Sequence, residues 1–301
     1  MISAFAFFGH PLVQALLPVV ALLLLAPVAV RVFRRSWLSL DQQARAEYAA
    51  RGPRDHVDAR APAVFVIAGV CLTLQKYYGN RDSYYRYVQG AVARQAEKWP
   101  GLRPDLFDEL YSQVWWSIVN VAGYMVIPLL CWRLFFPRDS WRDLGLRWGG
   151  LWRHGWLYVG CLLVVLPMLF FVAKQPDFGA YYPFYELASR SWFDLLAWEV
   201  LYVLQFFALE FFFRGWWLAA LRPSLGASAI FSMLVPYCLI HHGKPYLETN
   251  GALLAGLVLG TLALQARSIY GGFLVHAVIA ISMDVLALRN RHAWPSAWGP
   301  W

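Results

Sequence analysis

Long apolar runs alternate with short polar, arginine-bearing stretches along the whole chain. A membrane-spanning helix needs about 20 mostly apolar residues, and Leu12 to Val30 meets that without a charge. No Lys or Arg precedes this run and Arg31, Arg34 and Arg35 follow it, the pattern of a retained anchor with its N-terminus outside the cytoplasm. Pro62 to Leu74 is shorter. It spans if Gln75 and Lys76 snorkel and Tyr77 and Tyr78 sit at the interface; a re-entrant or surface helix is the alternative. Asn80 to Glu109 is polar and dotted with aromatics, broken by Pro100 and Pro104, and predicts an interfacial helix followed by a loop. Further spans are predicted at Val114–Phe136, Gly155–Ala173, Trp192–Phe213, Ala227–His241, Gly251–Ala266 and Ile269–Leu288. The connection from Pro137 to His154 carries Arg138, Arg142, Arg147 and Arg153, whereas Lys174 to Arg190 is richer in Tyr and Pro. The first is cytoplasmic by the positive-inside rule and the second external. The fold class is an all-α polytopic membrane helix bundle of about eight transmembrane helices, or seven if 62–74 does not span. Eight keeps both termini outside and the Arg-rich 31–60 segment in the cytoplasm. No fixed-period repeat is visible.

Composition sharpens this. The 301 residues are 59% hydrophobic and 15% charged, against about a quarter charged in soluble chains, which excludes a water-soluble globule. The net charge of +8 is read as topology-setting arginine that meets anionic headgroups, so membrane lipids are partners and nucleic acid is not. Sixteen Trp and sixteen Tyr suit the membrane–water interface. Cys71, Cys131, Cys161 and Cys238 all lie in apolar runs and none forms a CxxC pair, so they count as small hydrophobes.

An ionisable residue in the middle of a spanning helix costs about 2.5–3.5 kcal/mol on insertion scales and marks a functional site by default. Glu199, Glu210, Arg214, His241, His242, His276 and Asp284 are the residues of this kind. Glu210 and Arg214 stand four apart and share a helical face. On their own they read equally well as an ion pair that helps the helix insert. With His241 and His276 on two further helices, a bundle can converge a glutamate and two imidazoles at one depth. That set can move a proton of water or hold a metal with an open position. Lys244 and Glu248 read as a solvated loop, with Lys244 free to attract a carboxylate or a headgroup. Glu199 reads as interfacial beside Trp198, or as lining a cavity with Glu210.

At these residues the sequence resembles the CAAX-protease and bacteriocin-processing (CPBP) family of intramembrane endopeptidases, which includes the type II CAAX prenyl endopeptidases. The resemblance runs from about Trp115 to Leu288 and includes Arg-Asp-Leu-Gly-Leu-Arg at 142–147. The family motif Glu-Glu, three residues, Arg is matched by Glu210 and Arg214 with Gly215 following, but Leu209 stands at the first Glu. The motif of an aromatic residue, three residues, His is matched by Tyr237 and His241. In the third motif His276 matches and Ala280 stands where the family has Asn or a similar residue. The resemblance divides the chain into 1–113, an anchor with polar and interfacial segments, 114–290, an intramembrane catalytic bundle, and 291–301, a tail.

The resemblance implies hydrolysis of a peptide bond in a membrane-anchored protein or peptide; the Arg- and Trp-rich vocabulary suggests a multi-pass protein of a bacterial inner membrane. It implies Glu210, His241 and His276 as catalytic and Arg214, Tyr237 and Asp284 as supporting residues. Glu210 is then the base in place of the missing first Glu, His241 shares the proton or orients the water, and His276 faces the oxyanion or the leaving amine. Asp284, two turns after His276, is the candidate stand-in for the absent Asn. The family's glutamic-type chemistry implies no cofactor. Zinc on Glu210, His241 and His276 is the alternative. Leu209 and Ala280 keep open a pseudoprotease that binds a partner's transmembrane segment. A proton-coupled transporter is a third reading, without an inverted repeat to support it.

Overall fold

The computed structural model describes residues 10–50 and 59–301; residues 1–9 and 51–58, the latter part of the Arg-rich segment, lie outside the described residues. Secondary structure among the described residues is helical throughout, as a bilayer requires of a chain whose backbone polar groups have no water to bond. In order come α1 (Pro11–Ala50), α2 (Arg60–Tyr78), α3 (Arg81–Tyr87), α4 (Gln89–Lys98), α5 (Pro104–Phe135), α6 (Gly149–Val172), α7 (Pro176–Tyr181), α8 (Trp192–Leu225), α9 (Ser228–Leu239), α10 (Tyr246–Ala266) and α11 (Tyr270–Asn290). Seven of these, α1, α2, α5, α6 (with the turn before it), α8, α10 and α11, are long and apolar enough to cross a membrane. The chain is a polytopic helical bundle.

Contacts at the helix ends fix the order of crossing. At one end Glu47 of α1 pairs with Arg222 of α8 at 3.1 Å and with Arg267 at 3.6 Å. There too the Ala227 N–H donates to Asp41 at 2.7 Å, and Arg60 grips both oxygens of Asp139 at 2.6 and 2.9 Å. At the other end Tyr246 donates its N–H to Asp177 and its hydroxyl to the Gln14 carbonyl, at 2.8 and 2.7 Å, and Arg291 donates to the Gly179 carbonyl at 2.6 Å. The chain changes ends with each of α1, α2, α5, α6, α8, α9, α10 and α11, so residues 10–14 and 291 share an end. The segment that falls short is therefore α9 and not 62–74. Its 12 residues rise only about 18 Å, because Gly243, with φ +90, and Pro245 stop it early. The crossing is completed by a turn, and His241 within that turn is 5% exposed.

Two further boundaries differ from the sequence expectation. α5 begins at Pro104, which supplies a ready-made first-turn φ, so the expected loop is the first turns of a helix. α8 does not stop at Phe213. It runs on to Leu225 because Trp216, Trp217, Leu218 and Leu221 continue its apolar face into the core.

α8 and α11 bury 56% of their apolar windows and α1 only 6%, so α8 and α11 are central and α1 is peripheral. Outward-facing groups such as Trp152 at 81% and Leu163 at 71% exposure would be untenable in water and suit lipid. Two π-helical stretches, Ala122–Val126 in α5 and Phe211–Trp217 in α8, face each other with Tyr124 against Phe212 at 5.3 Å. Such π-bulges recur at functional sites. The turn Trp141–Leu144 packs on the second of them: a Cβ on Gly215 would lie 2.5 Å from the Leu144 carbonyl oxygen. The Ile269 N–H donates to the Gly145 carbonyl at 3.0 Å. The 142–147 stretch thus ties α8 to the start of α11.

Candidate active site

Glu210 closes the α-helical part of α8 and Arg214 lies in its π-bulge. Both side chains are fully buried and joined as an ion pair. They sit mid-helix, not near a helix end as the sequence suggested. Arg and Gly in succession imitate a helix C-terminus, but the pair neutralises itself, so the helix can continue. The Arg214 guanidinium also lies over the Tyr237 ring at 4.6 Å, a cation–π contact strengthened by exclusion of water. This gives the aromatic position of the second motif its physical task.

His276 comes to Glu210 from α11. Its Nδ1 is 2.8 Å from Glu210 Oε1, and its ring stacks on Phe206 at 4.4 Å. A carboxylate only accepts, so Nδ1 carries the proton and Nε2 is the free acceptor. Gly272, one turn earlier, permits the approach: a Cβ there would lie 2.5 Å from Glu210 Oε2. That oxygen is buried without a hydrogen-bond partner. The His276 side chain retains 15% exposure and that of Glu210 none, so the imidazole is the member of the pair that a reactant can reach.

His241 is held by Nδ1 on the Tyr237 carbonyl at 2.7 Å, its ring 4.7 Å from that of Tyr237. Arg214 and His276 are within electrostatic reach of it. Among the described residues no hydrogen bond joins His241 to Glu210 or His276. Lys244 and Glu248 are not a solvated pair: they bond each other at 2.8 Å, both largely buried, and the Tyr182 hydroxyl donates to Glu248 at 2.7 Å. Lys244 lies between the spanning helices, and although burial works to lower its pKa, the Glu248 carboxylate raises it above its ordinary value.

Leu209 and Ala280 are buried in apolar clusters, so the two polar positions that the family motifs specify are packing positions here. Asp284 accepts from Trp198 Nε1 at 2.6 Å and makes no hydrogen bond with His276. Glu199 belongs with it, within its electrostatic reach and with both carboxylate oxygens buried and unpartnered. These two form a cluster apart from Glu210. Tyr158 of α6 was not singled out by the sequence reading. Its hydroxyl is buried without a partner, Glu210 and Arg214 are within electrostatic reach, and a Cβ on Gly271 would collide with its ring. The signal was a lone phenol inside the apolar run Gly155–Ala173, hidden because Tyr bears no charge.

Glu210, His241 and His276 are not grouped as a ligand set for zinc in this arrangement. Among the described residues no three His, Cys, Asp or Glu side chains are grouped to hold a metal, and Glu210 Oε1 is already engaged by Arg214 and His276.

Residues 190–282 match the family model described as type II CAAX prenyl endopeptidase Rce1-like, consistent with a CPBP-family protease. The match spans the three motifs and both departures from them, while the 142–147 stretch lies outside it. No curated protein and no solved structure matches the chain. The family indicates a peptidase and supports intramembrane endopeptidase activity in general.

Proposed function

We propose that the chain hydrolyses a peptide bond of a membrane-anchored protein or peptide by a glutamate–histidine mechanism without a metal. The observation that carries this reading is the hydrogen bond of His276 Nδ1 to the buried Glu210 carboxylate. It leaves Nε2 as a proton acceptor on the accessible side of the pair. Water attacks the carbonyl carbon as its proton passes to Nε2. The Glu210 charge then stabilises the imidazolium, as a buried carboxylate does for the histidine of a hydrolase triad. The proton is returned to the leaving amine as the C–N bond breaks. This assigns the proton transfer to His276 and its support to Glu210, reversing the order that the sequence suggested, because Glu210 is enclosed. His241, with Nδ1 committed to a carbonyl, offers Nε2 to position the water or substrate.

The test is co-expression with a panel of membrane-anchored reporters, followed by cleavage with purified protein in proteoliposomes. Wild type is expected to cleave at least one reporter in the presence of chelator, and His276→Ala none. Equal processing by wild type and His276→Ala removes the mechanism, and zinc-reversible loss with chelator restores the metal reading. Tyr158 supplies the donor that Ala280 cannot. Tyr158→Phe, which deletes one buried hydroxyl, is expected to lower kcat about 10²–10³-fold, the usual cost of removing one oxyanion donor, with little change in KM. A kcat within twofold of wild type assigns Tyr158 to packing alone.

A further inference from the structure

The end of the bundle where α1, α8 and α10 meet holds a cavity of about 180 Å³ lined by five arginines against three carboxylates. The carboxylates are already taken. Asp139 is held by Arg60, Asp143 pairs with Arg147, and the single Glu47 is shared by Arg222 and Arg267. Arg222 also feels the like charges of Arg267 and Arg147. What remains is a surplus of guanidinium groups over carboxylates, and Nη1 of Arg222 is buried without a hydrogen-bond partner. Arg214 lines the cavity only through its main chain, since its side chain is wholly buried against Glu210. A buried donor left unsatisfied costs about 1–3 kcal/mol, more when it is charged. A surplus of guanidinium groups around a cavity is the recognition pattern of an anion.

We propose that this cavity binds a phosphate group, with Arg222 and Arg267 as its ligands. The first stands in the last turns of α8, and the second reaches in from the end of α10. Donors converging from separate directions suit a tetrahedral oxyanion better than a planar carboxylate. The cavity lies at the Arg-rich end of the spanning helices, the level at which phospholipid headgroups sit. The phosphate is therefore either that of an anionic phospholipid or free inorganic phosphate. The site does not depend on the endopeptidase reading, since it rests on the donors alone.

The experiment measures thermal unfolding of the full chain in neutral detergent, with inorganic phosphate titrated against chloride at matched ionic strength, and in nanodiscs with and without phosphatidic acid. A saturable rise in midpoint with inorganic phosphate identifies the free ion as a ligand. A rise with phosphatidic acid alone identifies the headgroup. Arg222→Gln is expected to weaken the apparent affinity about tenfold or more, the loss of a charge-assisted hydrogen bond. Arg267→Asn is the companion variant: its side chain is 48% exposed and its φ of +50 is one that Asn tolerates, so it folds, and it is expected to weaken binding in the same sense. No rise with either phosphate source overturns the proposal. So does a rise of unchanged affinity in both variants.

Discussion

Glu210→Gln is expected to lower kcat for cleavage of a membrane-anchored reporter about 10²–10⁴-fold, the span of a lost acid–base contribution. The substitution keeps an acceptor oxygen for Arg214 and for His276 Nδ1, so the arrangement of the three side chains persists and the charge alone is lost. Without that charge, nothing offsets Arg214, and its positive field opposes the imidazolium that must form on His276. The loss should fall on kcat with KM little changed, because Glu210 is enclosed and does not touch the substrate. Reporter processing by purified Glu210→Gln at the wild-type rate would leave the chain without its proposed chemistry and bring the partner-binding pseudoprotease forward, with Leu209 and Ala280 as its support.

Arg214→Met has the largest expected effect on stability. It leaves Glu210 charged, wholly buried and deprived of its partner, and breaking a buried pair from one side costs about 3–5 kcal/mol. Removing both charges costs less, since two neutral side chains of similar volume need no solvation. The double variant Glu210→Gln/Arg214→Met should therefore recover most of the stability that Arg214→Met loses. Unfolding in mixed micelles of SDS and neutral detergent measures both. If the single and double variants are equally destabilised, the loss comes from the Tyr237 contact at 4.6 Å and from packing, not from the ion pair. The coupling between the two substitutions separates these causes.

The all-helical bundle, its long apolar spans and the placing of Glu210, Arg214 and His276 within them were legible in the sequence, because each rests on a local pattern. Apolar run length marks a helix, arginine marks an end, and an intramembrane charge marks a site. What was not legible depends on contacts between distant segments. Glu248 and Lys244 read as a wet loop until the Tyr182 hydroxyl, 66 residues away, is seen to close over Glu248. The end of α8 was misplaced because Arg214-Gly215 carries the local signature of a terminus, and only the Glu210 pairing and the buried Trp216 override it. Asp284 stood two turns from His276 in sequence terms. Its actual partner, Trp198, is 86 residues away.

The contacts that dock α1 set a timetable for assembly. Asp41 and Glu47 meet their partners Ala227 and Arg222 across 186 and 175 residues of chain. At synthesis rates of about 5–20 residues per second, α1 emerges on the order of 10–35 s before those partners exist. During that interval it is an isolated helix in lipid, held by its own apolar surface, with Asp41 and Glu47 still without the partners they meet in the folded bundle. Helices made late, α8 and α10, are thus the ones that recruit the first. A chain truncated before Arg222 should insert α1 and yet leave it undocked, open to whatever quality-control protease surveys that face of the membrane.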